Sequence, residues 1–139
     1  STVQVTIKKK TRKRSLNANS YFWALCGELA EKLRLPSNEV YRRQITESGI
    51  FQVMTLNTKA VPTFEKVWSG NGTGWFIEIV DTDEKTTTFK AFYGSSVYNG
   101  RQMARLIDNI VQECRAQGIE TMTPKELSLL KEDWSEKHS

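Results

Sequence analysis

The chain has 139 residues, among them 20 Lys and Arg, 16 Asp and Glu, two Cys and one His. Its length suits one domain with a real core, and no stretch approaches the ~20 apolar residues that cross a bilayer. Because the N-terminus lacks the pattern of a secretory signal and the single histidine, His138, is the second-last residue, we expect a cytoplasmic protein without a zinc site or a histidine-based catalytic centre.

The first third of the chain predicts one strand and two helices. Apolar and polar residues alternate over 2–9, which is typical of a strand with one buried face. Ser15 stands where an N-cap belongs, and helical spacing of apolar residues follows it, so a helix is expected over about 16–34. Ser37 is expected to cap a second helix that ends near Gly49.

The middle of the chain predicts a strand, a short helix and a hairpin. The glycine-rich stretch 70–74 has neither the Walker spacing nor the GxGxxG fingerprint, so we interpret it as a turn and not as a phosphate loop. The expected elements are a strand at 51–55, a helix at 61–68, and hairpin strands at 75–80 and 86–93 around a turn at 81–85.

The last third predicts two helices. Asn99 is expected to cap a long helix that stops at Gln117-Gly118, and Thr123 with Glu126 forms a capping box for a final helix to about Trp134. Together these elements indicate the α+β class, with a small, mostly antiparallel sheet packed against several helices in a single domain over 1–139.

The two cysteines fall on the apolar stripes of predicted helices. A free thiol at such a position acts as a small buried hydrophobe. We therefore expect Cys26 and Cys114 to be reduced and structural, as is usual in a cytoplasmic protein.

A basic run leads into the first helix. Residues 15–139 carry 14 Lys and Arg against 16 acids, so the excess positive charge of the chain lies in this run. Cations that neutralise phosphates release counterions, which makes nucleic acid the first candidate ligand. A solvated tail, an address signal or a charged strand end that blocks edge pairing are the alternatives. The six cations are Lys8, Lys9, Lys10, Arg12, Lys13 and Arg14.

Cations and aromatic residues elsewhere could extend this run into a groove for single strands, because bases stack on aromatic rings without regard to sequence. For any one tyrosine we favour a place in the core, and for Trp23, Trp68 and Trp75 we also expect the core or a dimer interface. The groove candidates are Arg42 and Arg43 on the second helix, Arg101 and Arg105 on the long helix, and the rings of Tyr21, Tyr41, Tyr93 and Tyr98.

The predicted start of the first helix suits an anion. Free N–H groups at a helix N-terminus bind phosphate, so one phosphate could lie beside Arg14, Ser15 and Asn19. The alternative is that Ser15 only caps the helix and that Asn19 only ties the preceding strand to it.

Acidic residues offer a different hypothesis. Asp81, Asp83 and Glu84 in the hairpin turn could bind a divalent cation, as a metal-dependent phage nuclease requires. Turn chemistry explains the same residues without a function, because Asp favours turns and charges keep a hairpin tip in water. We favour the turn.

The junction after the basic run resembles a helix start in the phage lambda NinB/Orf family of recombination mediators. The matching residues are Arg14, Ser15, Leu16, Asn19 and Trp23. A looser similarity covers residues 103–134, with a long helix, a Gly118-Ile119 break and a final helix that closes on a Trp. Residues 36–92 have no match, and the chain also looks like hypothetical proteins from phages of Gram-positive hosts.

The resemblance implies a homodimer that binds single-stranded DNA, associates with the host single-strand-binding protein and helps load a phage annealing recombinase. Catalysis is not part of what it implies, and we expect no cofactor, no metal and no membrane partner. An inhibitor that binds a host protein through its charged faces is a further hypothesis.

Overall fold

The computed structural model describes residues 17–138, which form helices and a small sheet of the expected α+β class. The basic run and the expected strand at 2–9 lie outside the described residues. Single-turn 3-10 helices follow β1 and β3. The elements are α1 (Ala18–Leu33), α2 (Ser37–Ser48), β1 (Phe51–Asn57), α3 (Val61–Ser69), β2 (Ile77–Thr82), β3 (Thr86–Phe92), α4 (Gly100–Ala116) and α5 (Pro124–Lys137).

Two expected helix caps are wrong. Asn17 and not Ser15 caps α1, since the Asn17 Oδ1 accepts a hydrogen bond from the amide of Ser20 at 2.8 Å. Ser15 itself lies outside the described residues. Pro36 is the N-cap of α2 and forms no side-chain cap, so Ser37 is the first helical residue. The expected end of α2 at Gly49 is confirmed.

The sheet has β3 in the centre and is antiparallel throughout, in the order β1-β3-β2. The expected hairpin is confirmed, but its first strand runs from Ile77 to Thr82 and is shifted from 75–80. Asp83 shortens the turn because its Oδ1 accepts the amides of Lys85 at 2.7 Å and Thr86 at 2.8 Å. Asp81 therefore belongs to a strand and not to the turn.

The two faces of the sheet have different environments. Helix α3 covers one face, where Val61, Phe64 and Trp68 pack against Phe89 and Ala91 of β3. Much of the opposite face is open, and Val53 on β1 is 58% exposed there. One side of this small sheet is thus available for contacts.

Helices α1, α2, α4 and α5 enclose the main core, which also receives Phe92 from the end of β3. Phe22 and Leu25 of α1 are fully buried in it, and each such side chain stabilises the fold by ~1.5–3 kcal/mol. Capping boxes start both later helices: Asn99 pairs with Gln102 at α4, and Thr123 pairs with Glu126 at α5. None of the helices within residues 17–138 combines the length and apolar character of a bilayer span.

The last helix extends beyond its predicted end. Helix α5 continues past Trp134 to Lys137, and the His138 ring stacks on Trp134 at 3.6 Å.

Cys26 and Cys114 are free and buried, as expected. Burial raises the pKa of Cys114 to about 12 and also raises the pKa of Cys26, so both thiols stay protonated and unreactive at neutral pH.

Candidate nucleic-acid interface

A buried hydrogen-bond network fixes the first turn of α1. The Ser95 hydroxyl, just after β3, donates to Asn19 Oδ1 at 2.5 Å. The Tyr41 hydroxyl of α2 lies 2.8 Å from Ser95 Oγ and accepts the Ser95 amide at 2.9 Å. Since Ser95 Oγ gives its proton to Asn19, Tyr41 is the donor to Ser95. The network joins α1, α2 and the end of the sheet at one point.

This geometry corrects the expectation for Asn19. Its side-chain oxygen accepts a hydrogen bond from within the protein, and the segment it ties to α1 is the turn after β3 and not a preceding strand. Burial raises the pKa of Tyr41, an effect that the hydrogen bonds with Ser95 partly offset, so the hydroxyl remains a neutral donor. Asn19 and Tyr41 therefore position the start of α1.

Trp23 lies one turn after Asn19 and is half-buried. Its ring stacks on that of Tyr41, with the two centroids 3.8 Å apart and the planes 10° from parallel. Another side of the Tyr41 ring receives Gly74, where an added Cβ would lie 2.6 Å from the ring. Only glycine fits at this position, so the loop at 70–74 packs directly on α2.

The same loop holds Arg42. The Arg42 Nε donates to the carbonyl oxygen of Thr73 at 2.9 Å, and the guanidinium carbon lies 5.9 Å from the centre of the Phe76 ring. Within residues 17–138 no carboxylate lies within ion-pairing distance of Arg42. Arg43, by contrast, lies 3.8 Å from the Glu39 carboxylate one turn earlier. Of the two predicted cations on α2, only Arg42 keeps its charge uncompensated.

Arg101 and Arg105 occupy the exposed face of α4. They lie between the side of α4 that contacts α2, through Asn109, and the side that contacts α5, where Asp108 pairs with Lys131 at 2.5 Å. No described contact joins either arginine to Arg42. The structure brings together Asn19, Trp23, Tyr41 and Arg42, and it leaves the α4 arginines on a surface of their own.

Three of the four tyrosines named as groove candidates are core residues. The core placement favoured for a single tyrosine is confirmed for them, and the base-stacking role is wrong. Tyr21, Tyr41 and Tyr98 are 1%, 2% and 1% exposed. The Tyr21 hydroxyl accepts the Met122 amide at 2.8 Å. Burial raises the pKa of Tyr98 to about 12. Each of these rings faces the core, and Tyr93 alone is half-buried.

A row of three phenylalanines crosses the open face of the sheet, and sequence reasoning missed it. Phe51 of β1 pairs with Phe92 of β3, and their ring centres are 5.3 Å apart. Phe76, directly before β2, stacks on the other side of Phe92 at 4.8 Å with planes 18° apart. We call these three residues the phenylalanine row. No short motif marks it, because its members come from three strands.

The acidic candidates for a metal site do not converge. Hydrogen bonds from the Thr86 and Lys85 amides lower the pKa of Asp83, whose carboxylate closes the turn. Asp81 lies opposite Thr88 in the sheet, and Glu84 is at the tip. In the part of the chain that the structure describes, no three His, Cys, Asp or Glu side chains form a group that could hold a metal ion.

The candidate interface thus combines Arg42, Trp23 and the phenylalanine row with the start of α1. Arg14, the last cation of the basic run, is three peptide bonds from the Asn17 cap. Comparisons with models of protein families, with curated proteins and with solved structures find no match for this chain.

Proposed function

We propose that this protein is a phage recombination mediator that binds single-stranded DNA without sequence preference. In this role it assists the loading of a recombinase onto strands covered by the host single-strand-binding protein. It acts in the cytoplasm of a bacterial host, as a homodimer and without catalysis. The resemblance to the NinB/Orf family supports the biological role, and the charge and geometry of the chain support the binding mode.

One observation carries the proposal. Six cations, from Lys8 to Arg14, precede a helix whose first turn is tied through Ser95 to α2, next to the uncompensated Arg42. Cations that are joined to one rigid point can track a phosphate backbone, and the release of counterions then favours binding. Phosphate contacts of this kind set affinity and carry no sequence information.

Aromatic rings explain the preference for single strands. Trp23 is partly exposed and is held flat by its stack on Tyr41, so it can meet an unpaired base near the basic run. Stacking of one base contributes ~1–3 kcal/mol and tolerates any base. In a duplex the bases are already stacked on one another, so this contribution is lost.

The first test is binding of labelled oligonucleotides, single-stranded and duplex, across a salt series. We expect tighter binding of the single strand, with the logarithm of the association constant falling linearly with the logarithm of salt concentration. The six cations of the basic run alone correspond to a slope of about −4, at ~0.7 per phosphate contact, and a further contact such as that of Arg42 makes the slope steeper by ~0.7. Binding that is independent of salt, or equal for both substrates, contradicts the proposal.

The same mixtures with added Mg²⁺ address the nuclease hypothesis. We expect both oligonucleotides to remain intact. Cleavage that disappears in Asp81→Ala and Asp83→Ala variants would instead assign the protein to the metal-dependent nucleases, and the mediator role would have to be abandoned.

A further inference from the structure

The phenylalanine row lies at one end of the open sheet face and is accessible there. Phe51 is 43% exposed, whereas Phe92 in the middle of the row is 1% exposed and therefore buried. Phe76 at the other end is half-buried. The three rings contact one another in sequence, so the buried Phe92 holds the exposed Phe51 on one side and the half-buried Phe76 on the other.

A cation lies over each end of this row. The Lys90 ammonium is 4.9 Å from the centre of the Phe51 ring, and the Arg42 guanidinium is 5.9 Å from that of Phe76. Distances of up to ~6 Å permit a cation–π attraction, which holds each cation next to its ring. Each of the two accessible rings of the row therefore has a positive charge beside it.

The other end of the open face carries acidic residues. Asp81 lies opposite Thr88, four residues along β3 from Phe92, and the acidic turn follows it. The Glu78 carboxylate is 3.8 Å from Lys90, but both side chains are more than a third exposed. An exposed ion pair of this kind is weak, so a phosphate can compete for Lys90.

We infer that the phenylalanine row is a stacking platform for unpaired bases of a single nucleic-acid strand, in which Phe51 and Phe76 offer the accessible rings and Lys90 and Arg42 beside them bind the phosphates. Exposed aromatic rings on a sheet with flanking cations provide the two contacts that an unpaired strand requires. This inference rests on the proposed function, because it locates bases of the same single strand on the described surface.

Arg42 links the platform to the rest of the interface. Its Nε is held by Thr73, which leaves both terminal nitrogens of the guanidinium for a phosphate. Tyr41, its neighbour on α2, carries the Trp23 ring and the Ser95 contact to α1. Arg42 therefore lies between the Trp23–Tyr41 stack and the platform.

The test compares Phe51→Leu with Val53→Thr in binding of an oligo(dT) probe. Both residues lie on the same face of β1, but only Phe51 offers a ring. Loss of one stacked base should weaken binding by roughly 5- to 150-fold in Phe51→Leu, and Val53→Thr should bind like the wild type. Thermal unfolding of both variants checks that each is folded, since Leu keeps most of the apolar volume.

The outcomes separate the two proposals. A wild type that binds no single strand overturns the proposed function and the platform together. A wild type that binds, with Phe51→Leu unaffected or Val53→Thr equally weakened, overturns the platform alone. Sedimentation of both proteins without DNA gives the last outcome: if Phe51→Leu converts a dimer into a monomer, a second copy covers the row, and the platform is excluded.

Discussion

At the scale of single residues, three neighbours on α2 have three different environments. Successive side chains on a helix point about 100° apart, so Tyr41 faces the core, Arg42 meets the loop at Thr73, and Arg43 pairs with Glu39. The sequence alone places both arginines on the surface. What distinguishes them is the carbonyl of Thr73, which is 31 positions away in the chain.

These environments predict different roles for the two arginines in DNA binding. Arg42→Gln should weaken single-strand binding and reduce the magnitude of the salt slope by ~0.7, because one phosphate contact is lost. Arg43→Gln is the matched control, with the same loss of charge at the next position, and it should leave the slope unchanged. An equal effect of both substitutions would mean that DNA binding depends only on the overall charge, and that the contact with Thr73 gives Arg42 no special role in it.

The missed pairing of Arg43 had a sequence signal. Glu39 precedes Arg43 by four positions on a predicted helix, and acid-to-base pairs at this spacing face each other. The role of Asn19 had no such signal, because its partner Ser95 is 76 positions away and the contact exists only after the sheet packs on α1.

At the scale of elements, the complete capping box predicted its helix start well, and single cap candidates did so only in part: Asn99 is confirmed, whereas Ser15 and Ser37 are not the caps. Thr123, Pro124 and Glu126 supply both hydrogen bonds of a capping box within four residues, so tertiary contacts have little to change. Ser37 is a lone cap candidate, and Pro36 before it takes the N-cap position instead. A residue thus predicts a helix start more reliably when a second residue, at the third helical position, completes the capping box.

This difference can be measured by stability. Thr123→Ala should lower the free energy of unfolding by about 1 kcal/mol, because the Glu126 amide loses its acceptor. Ser37→Ala should change it by no more than ~0.5 kcal/mol, since Ser37 forms no cap. Urea denaturation of both variants provides the comparison, and a larger cost at Ser37 would restore the cap that the sequence suggested.

At the scale of the whole molecule, periodicity was enough for the fold class. The apolar stripes of α1 and α4 depend on local spacing, and together with the turn signals they predicted the α+β class, the hairpin and the order of the elements from α1 to α5. A core place was favoured for any one tyrosine, but which tyrosines are buried did not follow, because an aromatic residue fits both a core and a binding surface. The phenylalanine row depends on the register of three strands, which spacing along one strand cannot give.

The distribution of charge gives the proposal its physical basis. Residues 17–138 contain slightly more acids than Lys and Arg, and Arg43, Lys90, Lys131 and Lys137 each lie within ion-pairing distance of a carboxylate. Net attraction for a polyanion must therefore come from the basic run, with Arg42 and the aromatic rings adding local contacts. Without the basic run, the chain has no net positive charge to attract DNA.

The decisive measurement is single-strand binding across a salt series, for the wild type and for a variant with Ser at each of the six cationic positions. We predict that the variant binds far more weakly at low salt and loses about four units of the wild-type slope, at ~0.7 per phosphate. Unchanged affinity and an unchanged slope would contradict electrostatic capture by the run, and the proposed function with it. The six positions are Lys8, Lys9, Lys10, Arg12, Lys13 and Arg14.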